Sequence, residues 1–357
     1  MTKLLIVDDS ALMRRQLNLL FQAAGDFEIA QARNGREAVE LNREFQPDVV
    51  TLDINMPEMD GITALSHLMA ERPVPVVMVS SLTEKGALAT FEALNLGAVD
   101  YICKPGGTIS LSIDEVKDEL VAKVRSAAGA RLKGKSSNIR GLVRRMQIDR
   151  ENAAPRPVAI RRAAWGEGVI AIGVSTGGPR TLEDILPLLT DRTPWPVLVA
   201  QHMPAAFTHS FAERLDQLCP MKVVEAASPL TLEAGTIYIA KGGADMVVAR
   251  RAGKLTVLPK PEGQQFLWHP SVEALGRSVL ECCDPANVIA VMLTGMGHDG
   301  SDAFAEIRTR GGRTIAESEE SSVVFGMPAE LIKRGGATVV LPADKIAAQI
   351  NTWVTQR

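Results

Sequence analysis

The chain has 357 residues, 46% of them apolar and 23% charged, with a formal net charge of −3. That composition excludes wholesale disorder, and the length is enough for two domains, each with its own core. The near-neutral total also makes no general case for a nucleic-acid binder. The apolar run Lys3–Val7 meets Asp8-Asp9 too soon to serve as a signal peptide, and no run approaches the ~18 apolar residues of a membrane span. Cys103, Cys219, Cys282 and Cys283 have neither the density of a disulfide scaffold nor metal-site spacing, and read as reduced thiols of an intracellular protein.

Over the first 125 residues short apolar runs alternate with amphipathic stretches. Strands are expected at Lys3–Val7, Ile29–Ala32, Asp48–Asp53, Val74–Ser80 and Val99–Ile102. Ala11–Ala24 and Arg36–Phe45 repeat apolar residues three and four apart and read as helices. Near-continuous Val/Ile/Leu strands separated by helices indicate a parallel sheet covered on both faces, a doubly wound α/β domain.

Ligands of such sheets bind beyond the carboxyl ends of the strands. Here those ends carry Asp8-Asp9, Asp53 and Lys104, with Ser80 closing the fourth strand. Converging carboxylates repel one another unless a cation lies among them, and an all-oxygen set at a wet rim suits Mg²⁺. A carboxylate flanked by a divalent ion and a lysine can attack a phosphoryl group. Taken singly, the acidic pair reads as a solvated loop and Lys104-Pro105 as a turn.

Together, Val7-Asp8-Asp9-Ser10, Asp53-Ile-Asn-Met-Pro-Glu-Met-Asp60-Gly61, Val79-Ser80-Ser81 and Tyr101-Ile-Cys-Lys104-Pro105 resemble the receiver domain of two-component response regulators. The resemblance implies that Asp53 is the phospho-acceptor and that Asp8, Asp9, Asp53 and the Asn55 backbone carbonyl hold Mg²⁺. It also implies that Lys104 contacts the phosphoryl group and that Ser80 with Tyr101 forms the switch pair. Lys104–Pro105 is a candidate cis peptide.

From Gly129 to Trp165 the alternation stops. Ten Lys/Arg face only Asp149 and Glu151, a net of +8, so the rest of the chain carries −11. We expect a basic linker over 126–165, helical in part at Ile139–Ile148, between a domain at 1–125 and another at 166–357.

Strands resume at Val169–Val174, Val197–Gln201, Thr236–Ala240, Val288–Thr294, Thr314–Ala316 and Thr338–Leu341, giving a second, larger α/β domain. The first runs into Gly173-Val-Ser175-Thr-Gly177, a G-x-S-x-G string that lifts a serine hydroxyl to the rim of a sheet. The plain reading is a glycine-rich turn with a serine cap. A nucleophilic serine needs a base, and of the five histidines His202 is best placed, since it follows a strand on the same rim. Val288–Thr294 leads to Gly295-Met-Gly297-His-Asp299-Gly300, where Asp299 can orient an imidazole and amides near Met296 can face an oxyanion, as can that of Thr176. The order Ser…His…Asp differs from that of α/β-hydrolases.

The same glycines also spell G-x-G-x-x-G after a strand, with Glu317 about 20 residues on, as in a dinucleotide site. That motif belongs to the first strand of its domain, and here it comes late.

Nearly end to end, the chain resembles the chemotaxis receptor methylesterase family, a receiver fused to a protein-glutamate methylesterase domain. The strings that carry this are Ala171-Ile-Gly-Val-Ser175-Thr-Gly-Gly-Pro179, Gln201-His-Met-Pro204, Phe207-Thr-His-Ser-Phe-Ala-Glu-Arg-Leu215, His269-Pro-Ser-Val272, Leu293-Thr-Gly-Met-Gly-His-Asp-Gly300 and Ser322-Val-Val-Phe-Gly-Met-Pro328. Two places depart from the family: Ala240-Lys241-Gly-Gly-Ala-Asp245, usually Ala-Pro-Gly-Gly with a following His, and Glu317-Ser318, usually Gln-Asp.

The resemblance implies two doubly wound parallel-sheet domains, a flavodoxin-like receiver and a Rossmann-like catalytic domain. It implies a phosphorylation-regulated serine esterase that demethylates glutamate methyl esters on chemoreceptors and deamidates glutamines there. The implied catalytic residues are Ser175, His202 and Asp299, with Mg²⁺ at the receiver and no cofactor for ester cleavage. A histidine kinase is the implied phosphodonor, and the setting is cytoplasmic, without membrane insertion or nucleic acid. The alternatives are the same enzyme acting on a receptor-like protein outside chemotaxis, or a receiver with a non-enzymatic output domain.

Overall fold

The short apolar runs of the first half become a five-stranded parallel sheet of order β2-β1-β3-β4-β5 in a computed structural model that describes residues 1–81, 84–104, 109–132, 168–190 and 193–355. In chain order the elements are β1 (Thr2–Val7), α1 (Ala11–Ala24), β2 (Phe27–Ala32), α2 (Gly35–Glu44) and β3 (Val49–Asp53). They continue with α3 (Gly61–Glu71), β4 (Val76–Ser81), α4 (Glu84–Leu96), β5 (Asp100–Lys104) and α5 (Ile109–Ala128). Helices cover both faces, so Leu4, Leu5 and Ile6 in succession are all fully buried instead of alternating. Helix α1 begins where the Ser10 hydroxyl accepts the Met13 N–H and ends at Gly25, whose φ of 80° a side chain would resist. Met13, Leu17 and Phe21, four residues apart, are its buried stripe.

The strand register sets the rim. Val7 pairs with Ala32 and Leu52, Asp53 with Val79, and Ser81 with Lys104. The carboxyl ends therefore finish level, and Asp8, Asp53 and Lys104 emerge at one edge.

The chain divides into two compact units, Met1–Lys133 and Gly134–Arg357. Helix α5 runs to Ala128, three residues into the expected basic linker. The part of that linker from 133 to 165, with its expected helix at Ile139–Ile148, lies outside the described residues, as does Pro105 of the expected cis bond.

The second unit contains β6 (Val169–Val174), α6 (Gly178–Ile185), β7 (Val197–Gln201), α7 (Ala205–Leu218), β8 (Lys222–Ala226), β9 (Leu230–Thr231) and β10 (Thr236–Ala240). It continues with β11 (Ala244–Arg251), β12 (Lys254–Pro261), α8 (Val272–Cys282), β13 (Val288–Met292), α9 (Ser301–Thr309), β14 (Arg313–Glu317), α10 (Met327–Lys333), β15 (Val339–Leu341) and α11 (Ala343–Thr355). Seven strands form a parallel sheet of order β15-β14-β13-β6-β7-β10-β8. The chain builds outward from β6 in one direction and later returns to place β13 on its other side, so the strand order reverses between β6 and β13. Such a reversal opens a crevice at the carboxyl ends.

The parallel α/β architecture matches the expectation, with one addition: β11, β12 and β9 form a small antiparallel sheet. Its hairpin turns on Ala252 and Gly253, both left-handed, with φ of 47° and 78°. Helix α8 covers the β11 edge: the Val248 N–H donates to Ser278 Oγ at 2.9 Å and Cys282 Sγ to the Val248 carbonyl at 3.3 Å. Met246, Val248 and Val257 join one apolar core with Phe304, Ile307 and Leu275.

Candidate active site

At the reversal, three segments from three strand ends meet. Ser175 follows β6, His202 follows β7, and Asp299 lies in the loop between β13 and α9. Ser175 Oγ is 3.1 Å from His202 Nδ1, and His202 Nε2 is 2.9 Å from Asp299 Oδ2. A carboxylate only accepts, so it holds the imidazole proton on Nε2 and leaves the Nδ1 lone pair facing the serine hydroxyl. The serine is 9% exposed, which leaves its hydroxyl at the floor of the crevice rather than in bulk water.

Asp299 is held from behind by the first turn of α8. The backbone N–H of Val272 donates to Oδ2 at 2.6 Å, and that of Glu273 to Oδ1 at 3.0 Å. Ser271, which caps the helix by accepting the Ala274 N–H at 3.2 Å, turns its own hydroxyl proton to Oδ1 at 3.0 Å. Burial alone would raise this carboxyl. The hydrogen bond and charge of His202, with the Val272 and Glu273 amides, outweigh it and keep Asp299 below the ordinary carboxylate value.

The turn that carries the serine admits no side chains. Gly177 has a φ of 78°, and a Cβ there would come within 2.6 Å of Val323. At Gly178 a Cβ would lie 1.9 Å from the Gln201 amide oxygen, and at Gly295 2.7 Å from the Ser175 Cβ and 2.5 Å from the Met327 sulfur. Gly295-Met296 therefore lies against Ser175, and the Met296 N–H makes no hydrogen bond among the described residues. The Gly295 carbonyl is occupied by the Gly326 and Met327 N–H groups at 3.1 and 2.9 Å, which orients this peptide. Thr176 is buried, and its carbonyl accepts the Thr294 hydroxyl at 2.9 Å.

Several supporting residues were given no role of their own by the sequence. Gln201, buried, donates its side-chain amide to both the Ser175 and His202 carbonyls, at 3.1 and 3.0 Å, and so ties the two strand ends together. Asp245, at one of the departures from the family pattern, accepts from His269 Nδ1 and from the Ser271 N–H, each at 2.8 Å. Trp268 stacks on the His202 ring with centroids 5.4 Å apart and planes 13° apart.

The dinucleotide reading fails on geometry. Glu317 is fully buried, accepting the Thr294 N–H and the Ser321 hydroxyl at 2.8 Å each, and is not open to a ribose. His67 and His209 are on helix surfaces and face glutamates. His298 lies in the Asp299 loop, and His269 is bound to Asp245.

In the first unit the rim brings together Asp8, Asp9 and Asp53, whose ligand oxygens lie within 4.8 Å of one another. Lys104 Nζ is 2.7 Å from Asp53 Oδ2 and 2.9 Å from Asp8 Oδ2. Burial, and the nearby Asp8 charge, lift the Asp53 carboxyl above its usual value despite Lys104. Burial would lower the Lys104 ammonium, but the two carboxylates hold it above its own. One lysine thus does not neutralise the cluster. Two buried carboxylates, an exposed third and the Asn55 carbonyl, which accepts no hydrogen bond among the described residues, are an all-oxygen set that fits Mg²⁺.

Tyr101 is buried, with the Lys123 ammonium 5.4 Å above its ring. Burial raises its hydroxyl well above the usual value. Ser80 is in β4, its side chain outside the described residues.

Comparison with known proteins bears on both units. The family described as CheB methylesterase matches residues 170–350, and the response regulator receiver domain matches 4–112. A protein-glutamate methylesterase/protein-glutamine glutaminase of Rhodospirillum rubrum is 55% identical, the match covering 100% of this chain and 97% of the relative. One from Archaeoglobus fulgidus is 42% identical over 98% of this chain and 97% of its own. Among solved structures, the CheB methylesterase catalytic domain of Thermotoga maritima superposes with a TM-score of 0.51 at 37% identity. That match covers 53% of this chain and 99% of that one.

Proposed function

The chain belongs to the CheB methylesterase family, and from that premise we propose that it is a phosphorylation-regulated protein-glutamate methylesterase and protein-glutamine glutaminase working by serine acyl transfer on chemoreceptors. The observation that carries this reading is the continuous hydrogen-bonded chain Ser175–His202–Asp299 in the crevice of the second sheet.

His202 Nδ1 takes the Ser175 proton as Oγ attacks the γ-carbonyl of a methylated glutamate. Asp299 supports the imidazolium that forms, and the Met296 and Thr176 amides receive the oxyanion. The imidazolium then protonates the departing methoxide, and methanol leaves. A water deprotonated by His202 attacks the serine ester, releasing the glutamate carboxylate and restoring the serine. Glutamine follows the same course with ammonia as the leaving group. Ester cleavage by this route uses no cofactor.

In this reading residues 1–125 are the regulatory domain, 126–165 the linker and 166–357 the catalytic domain. Asp53 accepts a phosphoryl group from a histidine kinase, Lys104 contacts that group, and Ser80 with Tyr101 relays the change. Asp8, Asp9, Asp53 and the Asn55 carbonyl would hold Mg²⁺, which would supply positive charge for phosphoryl transfer to Asp53. The phosphoryl charge shifts a two-state restraint on the catalytic domain. Among the described residues no helix is long and apolar enough to cross a membrane, and the enzyme works from the cytoplasm on membrane-bound receptors.

The test is methanol release from purified methylated chemoreceptor. Ser175→Ala should abolish it in a folded protein. Retention of more than a few per cent of the activity would remove Ser175 as the nucleophile.

A further inference from the structure

The two hydrogen bonds of the His202 imidazole both lie at the ring's edge, at Nδ1 to Ser175 and at Nε2 to Asp299. Edge contacts of this kind do not oppose tilting of the ring about the line joining the partners. A flat neighbour against the ring face does, and the Trp268 indole is such a neighbour, 5.4 Å away and within 13° of parallel. Taking the esterase reading above as its basis, we propose that Trp268 is a positioning residue for the catalytic base, fixing the plane of the His202 imidazole and favouring its charged form in the transition state.

The indole is placed by structure that is itself tied down. Its neighbour His269 is held between Asp245 Oδ1, at 2.8 Å from Nδ1, and the Gly263 carbonyl, at 3.1 Å from Nε2. Asp245 is 4% exposed and also accepts the Ser271 N–H. Ser271, Val272 and Glu273 are the residues that donate to Asp299. One strip of chain, from Trp268 to Glu273, therefore supports the base from its face and the acid from behind. Asp245 anchors that strip to β11.

The stack also acts at the right moment. The imidazole is neutral before the attack and cationic once it holds the serine proton. An aromatic face attracts the cation more than the neutral ring. The contact thus strengthens on the way to the transition state, which places its effect in kcat rather than in KM. Ser175 and Asp299 bond the imidazole edge, and His269, next in the chain to the indole, is bonded to Asp245.

The experiment uses the full chain and two variants, Trp268→Phe and Trp268→Leu, with methylated receptor as substrate. Leucine should lower kcat by about 10- to 100-fold while KM stays within about 3-fold, and phenylalanine should recover a large part of the loss. Unchanged kcat in the leucine variant, or equal loss with phenylalanine and leucine, would overturn the proposal.

A second measurement needs no turnover. A protonated imidazole quenches an indole stacked on it, so tryptophan emission of the native protein should fall on acidification. That component should vanish in both Trp268→Phe and His202→Gln, and its persistence in either would overturn the stack. Absence of esterase activity in the unaltered protein would refute the functional reading instead, and the emission titration would still decide whether Trp268 senses His202.

Discussion

Asp299 shows what a single residue does here. Its carboxylate receives the imidazole, two helix amides and a hydroxyl, and is held below the ordinary carboxylate value despite burial. The stabilisation from a lowered carboxyl is fully present above its unfolded value of about 3.9 and is lost as pH falls through the lower folded value. Asp299→Asn should therefore cost about 1–3 kcal/mol of unfolding free energy at pH 7. The gap to the unaltered protein should close in melts below about pH 4. The same substitution should lower kcat on the order of 10⁴-fold, because an amide can present its NH₂ to the imidazole and turn the proton to the wrong nitrogen. A pH-independent stability difference would contradict the charge argument. Ser175, His202 and Asp299 were legible in the sequence because each follows an apolar strand. Gln201, Ser271 and the Asp245–His269 pair were not. They join positions 26, 28 and 24 residues apart by hydrogen bonds, and no local pattern encodes such links.

At the scale of elements, the strands of both parallel sheets other than β8 stood out as apolar runs, since burial on two faces removes polar residues from them. The hairpin of β11 and β12 did not. The eight residues of β11 put Val247 and Ala249 between and after Met246 and Val248, so no clean alternation marks it, and the hairpin turn is Ala252-Gly253 rather than the Asn-Gly or Asp-Gly that usually marks a two-residue connection. Strand β8 was missed for a related reason, since at one edge of the sheet it keeps Lys222 exposed. The turn offers a direct check. Ala252 holds a φ of 47°, which an ordinary side chain resists. Ala252→Asn supplies a residue that tolerates this conformation, and should raise unfolding free energy by about 0.5–1 kcal/mol. Thermal melts read the change, and a lower melting temperature would contradict the turn assignment.

At the scale of the whole molecule, one topological rule serves twice. Each unit is a parallel sheet whose chemistry gathers at the carboxyl ends of its strands, with carboxylates and a lysine in the first and serine, histidine and aspartate in the second. The proposed coupling between them is electrostatic in origin, starting from an Asp53 cluster that one lysine leaves short of neutral. Beryllofluoride with Mg²⁺, which mimics a phosphoryl-aspartate, should raise methanol release by the full chain above its resting rate. Removing Mg²⁺ with chelator should abolish that rise, and Asp53→Asn should not respond at all. An unchanged rate with the mimic would refute the regulatory part of the reading.

The reversal of strand order beside β6 also matters for how the protein is made. Ser175 and His202 leave the ribosome about a hundred residues before Asp299, which lies 97 positions after His202. Until β13 has been synthesised, β6 presents a bare apolar edge where it later finds its neighbour. The nascent second unit therefore lacks Asp299 of the proposed trio and is exposed to stray strand pairing until β13 is made. A late arrival at the centre of the sheet closes that edge and brings in Asp299, the last member of the proposed catalytic trio.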